Sequence, residues 1–284
     1  KQRPTHVNPI WLEETLRRSL DEDIGYGDLT TTAIVPQGVM ANGRILAKAP
    51  GRIAGVPVAE LTFRLLDPEV HIDVISPDGR DVQPGDVILR ICGPATGVLM
   101  GERVALNFLQ HLSGIASATA LAAEAARPYG ARIVDTRKTT PGLRALQKYA
   151  VRVGGGLNHR MGLDDAVLIK ENHLAVAGSI KEAVLRVREH VGHLVKIEVE
   201  VETLAQVDEA LAAQVDAILL DNMDAKTMQE AVTRIDGQAI VEASGNMTLE
   251  RIPEVAATGV DIISMGWLTH SAPALDLSLQ LELR

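Results

Sequence analysis

Short apolar runs and helical patterns alternate along the second half of the chain. Six runs of aliphatic and β-branched residues each end in polar or small residues: ARIVDTRK, DAVLIKEN, VKIEVEVE, DAILLDNM, QAIVEASGNM and VDIISMGWLT. The later runs are separated by helical patterns such as TLAQVDEALAAQ and AKTMQEAVTRI. This alternation predicts a parallel sheet with both faces covered. Six units favour a (β/α) barrel short of eight strands, with an open doubly wound sheet as the alternative.

The first half of the chain has a different texture. Pro9 to Leu20 has the apolar spacing of an amphipathic helix, and Met40 to Ala95 consists of short β-branched stretches broken by Gly and Pro. Gly97 to Arg127 is the longest helical pattern, which we expect to break into two helices near Ser113-Gly114. The acidic stretch Asp21–Asp28 has two interpretations: a cation site, or a solvated loop that caps neighbouring helices. We favour the loop.

Polar residues lie where each predicted strand ends. They are Arg137 and Lys138, then Lys170, then Glu198 and Glu200, then Asp221, then Ser244-Gly245-Asn246, and finally Gly266. In a barrel the carboxyl ends of all strands meet at one mouth, where barrel enzymes keep their active sites. The sequence therefore predicts one shared active site.

The late strand ends are typical of a phosphate site. Ser244, Gly245, Asn246 and Gly266 precede predicted helices, whose backbone N–H groups and dipole attract phosphate. Met265 and Trp267 flank Gly266 and join this prediction. The alternative is that these are ordinary strand-to-helix turns that need Gly for tightness.

The middle strand ends are acidic. Glu200 and Asp221 can bind Mg²⁺, accept hydrogen bonds from sugar hydroxyls, or stabilise a developing cation. Glu198 and Glu202 alternate with Glu200, so all three are predicted on one face of the strand.

The early strand ends are cationic. From Arg132 to Lys170 there are eight Lys and Arg against three Asp, a local charge of +5 in a chain of net charge −9. Arg137, Lys138, Arg160 and Lys170, with His159 and Thr136 beside them, suit carboxylates and phosphates. Four other cations of this window, Arg132, Arg144, Lys148 and Arg152, are interpreted as solvated or as part of a dimer interface.

Composition excludes several classes of protein. The acidic balance and the scarcity of aromatic residues disfavour nucleic-acid binding. A single cysteine, Cys92, excludes an intrachain disulfide and fits a reducing compartment. No apolar run is long enough to cross a membrane, and KQRPTHVNP lacks the apolar segment of a signal peptide. The spacing of His and Cys does not suit structural zinc, and Ser244 has no nucleophile-elbow context.

Together these motifs closely resemble the quinolinate phosphoribosyltransferase family over nearly the whole chain. The residues that carry the resemblance are DTRKTTPGLRALQKYAV, GGGLNHRMGLDDAVLIKENH, EVEVETL, LLDN, EASGN and MGWLTHSAPALDLSL, with EDIGYGDLTT and GERVALNFLQHLSGIAS before them. The resemblance implies that quinolinate and phosphoribosyl pyrophosphate react, with Mg²⁺, to nicotinate mononucleotide, pyrophosphate and CO₂.

The resemblance also implies residue roles. Arg137, His159, Arg160 and Lys170 would surround quinolinate, and Lys138 would lie near phosphoribosyl pyrophosphate. Glu200 and Asp221 would address the ribose and the metal. Ser244, Gly245, Asn246 and Gly266 would hold phosphate, and the expected catalytic set is Lys138, Lys170, Glu200 and Asp221.

The implied architecture is an amino-terminal α/β sandwich over residues 1–112, joined by 274–284, and an incomplete α/β barrel over 113–273. Arg103 would reach into the site of a neighbouring subunit, so a homodimer is the expected unit, with further assembly into hexamers left open. The expected compartment is the cytoplasm.

Two alternatives stay open at this point. One is the related pyrophosphorylase associated with molybdenum transport, which the intact R-K-T-T-P and H-R motifs disfavour. The other is a non-catalytic barrel that binds a phosphate ligand, which the presence of Lys170, Glu200 and Asp221 disfavours.

Overall fold

Residues 7–283 are described by the computed structural model, and in this range the chain forms eleven α-helices and twelve strands. The helices are α1 (Pro9–Ile24), α2 (Leu29–Ile34), α3 (Val56–Leu66), α4 (Ala95–Ala126), α5 (Arg144–Val153), α6 (Glu171–Ala177), α7 (Ile180–His190), α8 (Leu204–Ala212), α9 (Ala225–Ile235), α10 (Ile252–Ala256) and α11 (Trp267–His270). The strands are β1 (Met40–Ala47), β2 (Gly51–Arg52), β3 (His71–Val74), β4 (Asp81–Val82), β5 (Val87–Pro94), β6 (Arg132–Val134), β7 (Val167–Ile169), β8 (Ile197–Val201), β9 (Ala217–Asp221), β10 (Ile240–Ser244), β11 (Ile262–Ser264) and β12 (Leu277–Leu283).

The chain folds into two compact units. The first contains the described residues up to Ala120, together with Ala145–Gly155 and the segment from Ser271 onward. The second contains Leu121–Arg144 and Gly156–His270. The signal-peptide expectation concerns a stretch that begins in residues 1–6, outside the described range. No helix of the described range has the length and apolar character needed to span a membrane.

The first unit is built on an antiparallel sheet with the strand order β12-β1-β5-β3. Strand β1 alternates buried and more exposed residues, as expected of a sheet with one covered face. The covered face forms an apolar core with α3 and α4, in which Ile45, Phe63, Leu89 and Leu109 are fully buried. The edge strand β12 comes from the far end of the chain and pairs with β1 along its length.

Helix α4 is continuous over 32 residues, so the predicted break at Ser113-Gly114 is wrong. A Cβ atom at Gly114 would lie 2.1 Å from the carbonyl oxygen of Pro273. The glycine therefore allows a close approach between helix and chain, and it does not end the helix. Surrounding Ala and Leu residues have high helix propensity and offset the cost of one glycine.

Helix α1 extends past the predicted end to Ile24, so Asp21, Glu22 and Asp23 are helical and their assignment to a loop is wrong. The helix begins after Asn8, whose side chain accepts the backbone N–H of Ile10 at 3.0 Å. The capping part of the prediction is confirmed at Asp28, which accepts the backbone N–H of Thr31 at 2.9 Å and begins α2.

The second unit is a six-stranded parallel sheet with the strand order β6-β11-β10-β9-β8-β7. Its strands are the six predicted apolar runs, and β7 to β10 are joined by helices, as predicted. The consecutive strands β6 and β7 lie at opposite ends of this order. Leu157, between them in sequence, forms a parallel bridge with Val134 on the outer side of β6. The predicted class, an incomplete α/β barrel beside an amino-terminal α/β unit, is confirmed.

Candidate active site

A single cavity of about 820 Å³ lies at the carboxyl ends of the parallel strands. Its lining includes fourteen of the predicted site residues: Thr136, Arg137, Lys138, His159, Arg160, Lys170, Glu200, Asp221, Ser244, Gly245, Asn246, Met265, Gly266 and Trp267. Arg103 is exposed on α4 and does not line this cavity in the described chain. The strand ends therefore meet at one mouth, while the roles of the individual residues stay predictions.

Lys138 is held by helix α11, which follows β11. The hydroxyl of Thr269 donates to the carbonyl oxygen of Lys138 at 2.8 Å, and Thr136 Oγ1 accepts the backbone N–H of Lys138 at 3.0 Å. A Cβ atom at Gly266 would lie 2.9 Å from Lys138 Cδ. Gly266 thus leaves room for the lysine stem to run across the start of α11 and keeps its ammonium group at the cavity.

A buried carboxylate brings the segment 157–160 beside β6. Asp135 is completely buried and accepts the Asn158 side-chain amide at 2.6 Å and the backbone N–H of His159 at 2.9 Å. The backbone N–H of Leu157 donates to the carbonyl oxygen of Ile133 at 2.8 Å. The sequence interpretation counted Asp135 only as a charge, but its position directly after a buried strand was the available signal.

His159 has a defined tautomer. Its Nδ1 accepts the backbone N–H of Arg160 at 2.8 Å, so Nδ1 carries a lone pair. Its Nε2 lies 3.0 Å from Glu198 Oε2 and 3.6 Å from Glu242 Oε2, so Nε2 carries the proton and donates it. In this arrangement the Nε2–H bond is directed at the two carboxyl groups.

Two arginines at the mouth are close enough to affect each other. Burial lowers the pKa of the Arg160 guanidinium, and the neighbouring Arg137 charge lowers that pKa further. Arg160 donates to the carbonyl oxygen of Ala166 at 3.1 Å, which fixes part of the guanidinium. Two guanidinium groups that line the same cavity and repel each other favour a bound anion.

The solvated interpretation fails for part of the cationic window. Lys148 is only 1 % exposed, because it lies on helix α5, which is buried around most of its own circumference. Arg144 is half-buried and donates to Thr139 Oγ1 at 2.9 Å and to the carbonyl oxygen of Met161 at 3.0 Å. Arg132 is exposed, as expected, and Arg152 is half-buried.

The three glutamates of the EVEVE motif have different positions. Glu200 lines the cavity and forms an ion pair with Lys170. Glu198 lies on the same side of β8 but contacts His159. Glu202 lies beyond the end of β8 and is exposed. The prediction that these glutamates share one face is confirmed for Glu198 and Glu200. Of the three glutamates, only Glu200 lines the cavity.

The loops after β9 and β10 interlock at the mouth. Asn222 and Asn246 both have positive φ angles, +53° and +47°, and Gly245 has a φ of +93°. A Cβ atom at Gly245 would lie 2.2 Å from Asn222 Oδ1. Asn222 also donates to Asp221 Oδ2 at 2.8 Å, and Arg251 donates to the carbonyl oxygen of Gly245 at 3.1 Å. Backbone strain held by such contacts is typical of ligand-binding loops.

The helices behind the predicted phosphate residues are short. Helix α11 after Gly266 has four residues, and the Asn246 loop leads into a 3₁₀ turn (Leu249–Arg251) and the five-residue α10. The expected contribution of a helix dipole is therefore small. Within residues 7–283 the backbone N–H groups of Gly245, Asn246 and Gly266 donate no hydrogen bond to the protein, which leaves them available to an anion.

Glu242 forms part of the cavity floor and was missed from the sequence. It is 3 % exposed, and its Oε1 has no hydrogen-bond partner in the described chain. Burial, followed by the charge of Glu198, raises the pKa of Glu242 to about 8, while His159 and Ser264 act in the opposite direction. The signal was a single carboxylate inside the apolar run QAIVEAS, two residues before Ser244 and hence on the same face.

The donor chemistry at Glu200 and Asp221 fits a hard cation. Both offer carboxylate oxygens at neighbouring strand ends that line the open cavity. Mg²⁺ is usually held by one or two carboxylates plus substrate phosphates.

Comparison with known proteins identifies the family. The model of the quinolinate phosphoribosyl transferase C-terminal domain matches residues 115–280, and that of the N-terminal domain matches residues 28–113. A probable nicotinate-nucleotide pyrophosphorylase (carboxylating) of Bacillus subtilis is 45% identical over 277 residues, covering 98% of this chain and 96% of the relative. A Mycobacterium leprae protein named nicotinate-nucleotide pyrophosphorylase (carboxylating) is 46% identical over 277 residues, covering 94% of this chain and 96% of the relative.

Solved structures agree with this comparison. A nicotinate-nucleotide pyrophosphorylase from Francisella tularensis superposes with a TM-score of 0.95 at 36% identity, covering 99% of this chain and 100% of that one. NadC from Streptococcus pyogenes has a TM-score of 0.95 at 43% identity, covering 99% of each chain. The fold and site belong to the phosphoribosyl-transferring enzymes. Within that class, the chain belongs to the quinolinate phosphoribosyltransferase family, which confirms the resemblance and does not favour either alternative.

Proposed function

We propose that this chain transfers the phosphoribosyl group of phosphoribosyl pyrophosphate to quinolinate, with loss of CO₂, to give nicotinate mononucleotide and pyrophosphate. The observation that carries the proposal is one cavity in which Arg137, Arg160 and Lys170 line the same space as Glu200 and Asp221. Cations suit a dicarboxylate and phosphates, and carboxylates suit a ribose that becomes positively charged.

The quinolinate subsite lies among Arg137, Arg160 and Lys170. Burial, followed by the charge of Arg137, lowers the pKa of Arg160, so the two arginines repel each other. A bound dianion relieves that repulsion and gains charge-assisted hydrogen bonds. His159 forms a wall of this subsite, since both ring nitrogens are already engaged by protein groups.

The phosphoribosyl pyrophosphate subsite combines Lys138 with the loops after β10 and β11. The available backbone N–H groups of Gly245, Asn246 and Gly266, with the Ser244 hydroxyl, offer several donors to a phosphate. Met265 and Trp267 complete that wall, and Thr136 steadies the Lys138 loop. Lys138 adds a fixed positive charge that a phosphate or pyrophosphate can approach.

The transfer step depends on carboxylates facing the ribose. As the bond to pyrophosphate breaks, Glu200 and Asp221 stabilise positive charge that develops on the sugar. The pyridine nitrogen then bonds to the anomeric carbon, and the positively charged ring withdraws electrons from the adjacent 2-carboxylate, which leaves as CO₂. Lys170, paired with Glu200, holds both the quinolinate charge and the orientation of that carboxylate.

Mg²⁺ is the proposed cofactor, and Glu200 and Asp221 would hold it together with substrate oxygens. When bound, Mg²⁺ supplies charge neutralisation to the departing pyrophosphate.

One assay tests the activity. The purified chain is incubated with quinolinate, phosphoribosyl pyrophosphate and Mg²⁺, and nicotinate mononucleotide and CO₂ are measured. We expect both in equal amounts, with no nucleotide when nicotinate replaces quinolinate. Equal use of nicotinate, or absence of nucleotide from a folded sample, would overturn the proposed function.

A homodimer is the proposed working unit, with Arg103 completing the site of the partner subunit. The support is that Arg103 is exposed on α4 and does not line the cavity described above. Assembly of such dimers into hexamers is compatible with this unit and would be measured by light scattering.

Complementation tests the shared site. Arg103→Ala and Lys138→Ala should each be inactive alone, because each damages every site of its own homodimer. Mixed under conditions of subunit exchange, half of the dimers are heterodimers with one intact site of two, so about a quarter of wild-type activity should return. Absence of recovery, despite heterodimers seen by native mass spectrometry, argues against a shared site.

The cytoplasm is the proposed compartment, with no nucleic-acid or membrane partner. The support is a single free thiol at Cys92 and the acidic composition. Cell fractionation followed by immunoblotting tests it.

A further inference from the structure

Loss of CO₂ leaves a chemical requirement that the proposed roles do not meet. When the bond from ring carbon 2 to the carboxylate breaks, the electron pair stays on carbon 2 beside the positively charged nitrogen. That carbon must receive a proton to give nicotinate mononucleotide. The inference below rests on the proposed function, because it concerns the last step of that reaction.

Several ionisable groups of the cavity are poor proton donors. Arginines are always charged and do not release protons in proteins. The Lys170 ammonium is committed to its ion pair with Glu200. The single proton of His159 is directed at Glu198 and Glu242 and away from an incoming substrate.

Glu242 has the position of an acid. It lies on the cavity floor, is 3 % exposed, and faces Glu198, His159 and Ser264. Its Oε1 is buried and has no hydrogen-bond partner in the described chain, so one oxygen of the carboxyl group is unengaged. An ionised carboxylate there would repel both Glu198 and a dicarboxylate substrate, and burial adds a further cost, so the neutral acid is the favoured form.

A metal site is the competing interpretation, because ligand atoms of His159, Glu198 and Glu242 lie within 4.8 Å of one another. The tautomer of His159 argues against it. Nδ1 accepts the backbone N–H of Arg160, so Nε2 holds the ring proton and has no lone pair for a cation. The arrangement of His159, Glu198 and Glu242 therefore suits the sharing of protons and does not suit a metal ion.

We propose that Glu242 is the acid that protonates ring carbon 2 after CO₂ leaves. The O–H bond of Glu242 breaks, its electron pair stays on the carboxylate, and the proton forms the new C–H bond with the electron pair left on carbon 2. His159 Nε2–H then lies beside the new carboxylate and stabilises it. Glu242 regains a proton from water once the product has left the cavity.

Microscopic reversibility supplies the test. An enzyme that delivers a proton to carbon 2 also removes it from bound product, so wild-type enzyme in D₂O should exchange the carbon 2 hydrogen of nicotinate mononucleotide. Exchange is followed by proton NMR at alkaline pD, where part of Glu242 is ionised. Glu242→Gln should lower the exchange rate and kcat at least 100-fold, with KM for quinolinate changed less than threefold. Glu250→Gln, the same substitution at an exposed position just beyond β10, should behave as wild type.

The outcomes are distinct. Exchange by Glu242→Gln within threefold of wild type would overturn the role of Glu242. The role would also be overturned if wild-type enzyme with bound product exchanged the carbon 2 hydrogen no faster than product does without enzyme. This measurement needs no variant. If wild-type enzyme forms no nicotinate mononucleotide at all, the proposed function fails instead.

Discussion

The mouth and the floor of the cavity carry the same kinds of side chain in opposite states. At the mouth, Glu200 forms an ion pair with Lys170 and is partly open to solvent. On the floor, Glu242 is buried with Glu198 beside it and is favoured as the neutral acid. Glu198 precedes Glu200, and Glu242 precedes Ser244, by two residues of the same strand, a step of about 7 Å. Depth along a strand therefore decides whether a carboxyl group is held in an ion pair or buried as the neutral acid.

The largest effect should come from removing the cation of the mouth. Lys170→Ala is expected to lower kcat/KM for quinolinate about 1,000-fold, or about 4 kcal/mol, because it removes a substrate charge and leaves Glu200 unpaired. Steady-state kinetics measure it, with Lys181→Ala at an exposed position of α7 as the control. Normal turnover by Lys170→Ala would mean that the cations were assigned wrongly.

Neutralising the acid of the mouth should have the next largest effect. Glu200→Gln is expected to lower kcat about 100-fold, since one group that stabilises charge on the ribose is lost. It should also raise the Mg²⁺ concentration needed for half-maximal rate, and EDTA should abolish wild-type activity.

The matched control for Glu200 is Glu202→Gln, the same change at an exposed position outside the cavity. The two variants decide which glutamate of EVEVE serves the reaction. Equal losses in both, or in neither, would contradict the distinction between them.

The floor should also show an effect on stability, in addition to the loss of kcat expected for Glu242→Gln. The folded-state pKa of Glu242 is raised to about 8, so the folded protein keeps a proton that the unfolded chain releases above its ordinary carboxyl pKa. The free energy of unfolding of the wild type therefore falls as pH rises between those two pKa values, and a glutamine has no such loss.

Measured by chemical denaturation, the stability of Glu242→Gln relative to wild type should rise by about 3 to 4 kcal/mol between pH 5 and pH 8. Glu250→Gln, at an exposed carboxyl group, is the control. A pH-independent difference between Glu242→Gln and wild type would show that Glu242 is ionised when buried, and the contrast between mouth and floor would disappear.

Much of the mouth could be predicted from the sequence because strand ends are visible in it. Apolar runs ending in Lys170, Asp221 or Ser244 place those residues at one edge of a parallel sheet, whatever the details of packing. The floor could not be predicted in this way. Glu242 lies inside an apolar run, and its neighbours His159 and Glu198 come from distant parts of the chain, so only the folded barrel brings them together.

The errors in the fold share one cause. The glycine at position 114 led to the prediction of a helix break. In the structure this glycine makes room for the carbonyl oxygen of Pro273, far along the chain. The charge of Lys148 led to the prediction of a solvated side chain. In the structure Lys148 lies on α5, which is buried around most of its circumference. In both cases a long-range contact overrides a local preference, and a local pattern contains no information about it.

The pairing of β12 with β1 has a consequence for protein synthesis. The ribosome makes β1 before the parallel strands and β12 after them. Until β12 is made, one side of β1 has no strand to pair with. The first unit also needs residues 145–155. During translation, therefore, the sheet that emerges first is the one that is completed last, and the parallel barrel can form before it. The exposed edge of β1 is a natural target for chaperones in the interval.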